Sequence, residues 1–126
     1  MKIAILISRI LLGLLFFVFG LNGILHFMKT PAMPPSDATT FATILMNSGY
    51  MTFVSVLMVV AGLLLLVGRY VPLALVILGP ILVNILLFHA LLMHAGFQMG
   101  VLAAILWFIV FSAHRAAFAG IFAAKA

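Results

Sequence analysis

The chain alternates long apolar runs with short polar breaks, and the breaks fall where membrane-spanning helices would end. The runs cover about residues 3–27, 50–67, 71–93 and 98–118. Each is close to the roughly 20 apolar residues an α-helix needs to cross about 30 Å of hydrocarbon. The first run is too long and too full of Gly and Asn for a signal-peptide core, and no small-x-small cleavage pattern follows it directly, so it reads as a retained span. Gly68-Arg69-Tyr70 closes the second run, with Gly68 suited to a left-handed cap and Arg69 able to reach headgroups. Pro72 suits the first turn of the third, where its missing N–H is not needed. Gly96 breaks the pattern briefly before the fourth, which carries Trp107 and runs out into His114, Arg115 and Lys125. The short turns after spans two and three force antiparallel neighbours. The predicted fold is therefore an all-α membrane protein: an antiparallel four-helix transmembrane bundle, up-down-up-down, forming a single domain over residues 1–126.

The segment between the first two spans has soluble-like grammar. Pro31, Pro34 and Pro35 make an extended entry, Ser36 or Asp37 can cap a helix, and Phe41, Ile44 and Leu45 recur at helical spacing before Asn47-Ser48-Gly49. This predicts a short interfacial helix over about Asp37 to Asn47, lying on the outer headgroups or lidding the bundle.

Composition sharpens the picture. At 68% apolar and 6% charged, the 126 residues cannot be an ordinary soluble domain. Asp37 is the single acid, which excludes paired-carboxylate hydrolysis and all-carboxylate metal cages, and the absence of cysteine excludes thiol redox chemistry, disulfides and Cys-ligated metals. The net charge of +5 comes from scattered residues that form no phosphate-tracking stripe, so no nucleic acid is expected and the partner is the lipid bilayer. Lys2, Arg9, Arg69, Arg115 and Lys125 fall on one side of the predicted membrane and Lys29 on the other. By the positive-inside rule both termini are cytoplasmic.

Inside hydrocarbon a polar side chain needs a partner, so the few present are the pointers to a site. Asn22, His26, Asn84 and His89, with Ser55 and Gln98, all fall in the predicted outer half. Asn22 and His26 are four apart and share a helical face. Pro80 leaves the carbonyl of Val76 unbonded and is expected to kink the third span one turn before Asn84. Asn22, His26, Asn84 and His89 are thus the candidate ligand-binding set, an outer-half polar pocket suited to a quinone headgroup or lipid-like molecule. For convergence the kink must close the rotation of about 140° between Asn84 and His89. The structural alternative is cross-helix hydrogen bonding alone. His26, His89 and His94 raise haem or metal ligation, but with no carboxylate to support them neither is expected. Arg9 is read as snorkelling to the cytoplasmic face, His114 and Arg115 as headgroup contacts, and Gly13 and Gly20 as a helix-packing stripe.

The elements Phe19-Gly20-Leu21-Asn22-Gly23 with His26-Phe27, Met33-Pro34-Pro35, Gly49-Tyr50, Val60 to Leu66, and Asn84-Ile85-Leu86-Leu87-Phe88-His89 resemble the DoxX family of small bacterial membrane proteins along the whole chain. The resemblance implies a multi-pass four-helix protein of the bacterial inner membrane. Some relatives are small subunits of a thiosulfate:quinone oxidoreductase, which implies an accessory or quinone-interacting role beside a partner redox enzyme. Many relatives carry a glutamate where Met58 stands, so proton chemistry at that position is not carried over. No self-contained catalytic constellation is visible. The competing readings are a noncatalytic scaffold that recruits or stabilises a partner enzyme, or a small-molecule carrier, either of which could be a homo-oligomer.

Overall fold

The computed structural model describes residues 2–26, 35–93, 97–122 and 124; Lys29, His94, Gly96, Lys125 and the Pro31 and Pro34 of the loop entry lie outside them. Among the described residues there is no strand, and nearly all are helical. Helix α1 spans Lys2–Leu25, α2 Asp37–Asn47, α3 Tyr50–Val67 and α4 Val71–Leu87. A π-helical turn, Phe88–Leu92, extends α4. Then come α5, Phe97–Ala113, the short α6, Arg115–Phe118, and a closing 3₁₀ turn, Ala119–Phe122.

Three elements are long and apolar enough to cross a membrane: α1 with 24 residues, α3 with 18, and α4 with its π turn at 22. A bent pair of helices, Phe97–Ala113 with Arg115–Ile121, makes up to a fourth. At 1.5 Å per residue the 17 residues of α5 reach only about 25 Å, short of the hydrocarbon thickness. The continuous helix expected to Phe118 instead turns by 88° at His114. His114 leaves helical geometry (φ −122°, ψ 20°), and its N–H donates to Phe111 O at 2.8 Å. The Ser112 hydroxyl donates to Ile109 O at 2.6 Å and His114 Nδ1 to Val110 O at 3.1 Å, satisfying the last carbonyls of α5 from side chains. Trp107 stacks on Phe111 at 5.2 Å and Phe111 meets Phe118 at 4.9 Å, which ties α6 back against α5.

Helices α1 and α3 make the most extensive contact, and α3 with α4, α4 with α5, and α5 with α1 complete a ring. Each helix turns one stripe inward: Leu12 and Phe16, Ala61 and Leu65, Leu75 and Leu78, and Ala103 and Val110 are almost fully buried. The outside is equally apolar, with Ile3, Phe53, Leu91 and Phe108 exposed by 65–72%. Such a surface suits hydrocarbon and not water. Small residues let α1 and α3 approach closely and in opposite directions. A Cβ on Gly62 would stand 2.7 Å from Phe17 N and 2.8 Å from Gly13 O, and one on Gly20 would stand 2.9 Å from Ser55 O. The Gly13 and Gly20 stripe therefore packs as its spacing predicts.

At the far end of this pair Gly68 adopts the left-handed conformation (φ 75°), and both Gly68 N–H and Arg69 N–H donate to Leu64 O, closing α3. The Arg9 guanidinium lies over this turn, where a Cβ on Gly68 would overlap it. A cation there faces the negative end of the α3 dipole. Pro80 sits inside α4 without ending it. Trp107 Nε1–H donates to Leu75 O at 3.0 Å, one residue before the carbonyl that Pro80 frees, and bridges α4 and α5.

Helix α2 occupies the span predicted for it. Ser36, extended at φ −162°, caps it by accepting from Thr39 N–H at 3.2 Å, and Asp37 places its charge on the first turn. α2 packs on α3 and on the π turn, with Ala38 buried and Phe41 5.9 Å from Phe88 between ring centres.

Candidate functional site

Two departures from regular helix place the candidate side chains. α1 ends at His26, whose N–H donates to Asn22 O at 2.7 Å while its own backbone takes a left-handed conformation (φ 54°). Only a few per cent of non-glycine residues do this, and histidine is among the more tolerant. His26 thus stands one helical turn above Asn22, where the chain leaves the helix, and both line the same cavity. The second departure is the π turn, closed by Met93 N–H donating to Phe88 O at 2.9 Å, which carries His89. π-helical turns are rare and concentrate at functional sites.

Between the helix ends lies a cavity of about 380 Å³. From α1 it is lined by Leu15, Phe16, Phe19, Asn22 and Gly23, and by His26 beyond; α2 adds Met46, α3 Met51 and Met58, and α4 Ile85. His89 comes from the π turn, and Met99, Gly100 and Ala103 from α5. Along α1 the lining runs from Leu15 to His26 and along α3 from Met51 to Met58. The polar groups sit at the α2 end and the deep half is apolar.

The structure brings Asn22, His26 and His89 together on this cavity and leaves Asn84 outside it. Asn84 is exposed on α4, where its amide donates to Pro80 O at 2.9 Å. The expected unwinding does occur, but as a π turn beyond Asn84, so it rotates His89 without turning Asn84 inward. Neither Ser55 nor Gln98 lines the cavity. Ser55 is fully buried against Gly23, with no hydrogen-bond partner for its hydroxyl among the described residues, and Gln98 is exposed.

The methionines were missed by a search for polar groups alone. Four of the eight in the chain, Met46, Met51, Met58 and Met99, line one cavity from three helices. Their abundance is the one available signal, because a thioether looks like any other apolar residue until the fold gathers it. No group of three or more His, Asp or Glu stands together among the described residues.

Fold and site together define a helical protein with membrane-length apolar helices and a cavity that is polar at its mouth and apolar below. Compared with known proteins, the chain matches no family model, no curated protein and no solved structure.

Proposed function

We propose that this chain is a DoxX-type four-helix integral protein of the bacterial inner membrane that receives a quinone-type headgroup in its outer-half cavity, as an accessory subunit of a membrane redox system. In this reading α1, α3, α4 with its π turn, and α5 are antiparallel spans, both termini are cytoplasmic, and α2 lies at the outer interface. The observation that carries it is the division of the cavity: two imidazoles and an amide at one end, with Phe16, Met58 and Ala103 deeper along their helices. A volume of about 380 Å³ admits a headgroup with one six-membered ring. A carbonyl of that ring accepts a hydrogen bond from an imidazole N–H or the Asn22 amide, while the isoprenoid tail leaves among apolar side chains. The site holds no carboxylate to exchange protons with the headgroup, so in this reading the chain positions it and the redox step belongs to the partner enzyme.

The test is equilibrium binding of a short-chain ubiquinone to the purified protein in nanodiscs. His26→Ala should weaken binding about three- to twentyfold, the equivalent of one intramembrane hydrogen bond of about 0.6–1.7 kcal/mol, with thermal stability nearly unchanged. Undiminished affinity together with a lowered melting temperature would show that His26 serves packing instead.

A further inference from the structure

The mouth of the cavity gathers one soft donor from each structural element that ends there. His26 follows the last residue of α1, Met46 is the penultimate residue of α2, Met51 the second of α3, His89 the second of the π turn and Met99 the third of α5. These five positions share one level of the molecule because they all stand at helix ends, and all five side chains line the same space. A left-handed residue and the π turn fall on its two imidazoles; the other left-handed non-glycine residue, Tyr70, precedes α4 away from the cavity. Irregular backbone of this kind persists where surrounding structure holds it, and it clusters at ligand sites.

The geometry points to a binding site for a soft monovalent cation, Cu(I), formed by these imidazoles and thioethers. Thioether sulfur and imidazole nitrogen are both neutral donors, and softness selects Cu(I) over Mg²⁺ or Ca²⁺, which require oxygen ligands. The only acid in the chain, Asp37, is not among the lining residues. Among the described residues the cavity has two histidines and no cysteine or carboxylate, short of the three protein ligands of a usual zinc site, so thioethers complete the set. A single positive charge is also the least costly to remove from water in surroundings this apolar. Methionine, unbranched and with three rotatable bonds, can bring its thioether onto an ion in the cavity without moving the helices. Met46 is half exposed, which leaves a path from the surface.

This proposal does not rest on the quinone reading, and its test contains no quinone. Tag-free protein in nanodiscs is titrated anaerobically against the Cu(I)–bicinchoninate complex, with X-ray absorption on the loaded sample. The expected result is one Cu(I) withdrawn per chain, with nitrogen and sulfur in its first shell. The double variant Met51→Leu/Met99→Leu keeps the volume and apolarity of the lining and should bind at least tenfold more weakly. His26→Ala/His89→Ala should lose affinity similarly, while Met93→Leu, outside the cavity, should leave it unchanged. No copper withdrawn by the wild type, or undiminished affinity in the Met51→Leu/Met99→Leu variant, would overturn the proposal.

Discussion

Adding one methyl group to Gly62 should separate close backbone packing from ordinary apolar contact. A Cβ there meets Phe17 N at 2.7 Å, Gly13 O at 2.8 Å and Phe17 Cα at 3.0 Å, all backbone atoms of α1. Relief to a normal contact of about 3.5 Å requires α1 to move as a body by roughly 0.8 Å, because no side chain can swing aside. Overpacking of this kind costs about 1–3 kcal/mol, and the rigid neighbour puts Gly62→Ala in the upper part of that range. Alanine in place of glycine within a helix returns about 0.5–1 kcal/mol, so the net loss is about 1–2 kcal/mol. Gly79 is the internal comparison: its added Cβ would find only Trp107 Cζ2 at 3.8 Å. Gly79→Ala should therefore be neutral or gain up to about 1 kcal/mol. Thermal unfolding in one detergent at one scan rate, followed by circular dichroism, should rank Gly79→Ala at or above wild type and Gly62→Ala clearly below. If Gly62→Ala is as stable as Gly79→Ala, α1 and α3 do not approach backbone to backbone and the packing argument fails.

Two further expectations rest on single contacts and a third on charge. Trp107→Phe keeps the stacking on Phe111 but removes the hydrogen bond to Leu75 O, and should lower stability by about 0.6–1.7 kcal/mol in the same assay; an unchanged melting curve would mean that the α4–α5 bridge contributes nothing. Ser36→Ala removes the α2 cap at a local cost of about 1 kcal/mol, so amides 37–47 should exchange with deuterium severalfold faster while those of α3 keep their rates, and equal exchange in α2 would discount the cap. A reporter fused after residue 126 should read as cytoplasmic because of the five-to-one basic asymmetry, and an external readout would reverse the proposed topology.

Hydrophobicity along this chain determined where helices lie, but not which way they face. Runs of membrane length, the polar stop at Gly68 and the Ser36 cap are local signals: each depends on chain length, a backbone conformation or one hydrogen bond a few residues away. They locate α2 and α3 to the residue. The break at His114 contains neither Gly nor Pro; the bonds from Ser112 and His114 to carbonyls three and four residues back are as local as the Ser36 cap, but such bonds also occur in uninterrupted helices, so nothing in the sequence announces the turn that packs Phe118 on Phe111. The facing of each helix was equally hidden, because a helix apolar toward both lipid and neighbours has no contrast between its two sides. Gly13, Gly20 and Gly62 mark the inner side of the closest pair, but which glycine meets which is a property of two helices. The site divides in the same way. That Asn22, His26 and His89 are rare polar residues in apolar runs is written in the sequence, and so is the rarity of Asn84. Bringing the first three onto one cavity required a left-handed residue and a π turn, neither of which has a dependable local signature. Asn84 instead bonds to Pro80 O on its own helix, and four methionines enter the cavity walls only because helix ends distant in sequence meet there.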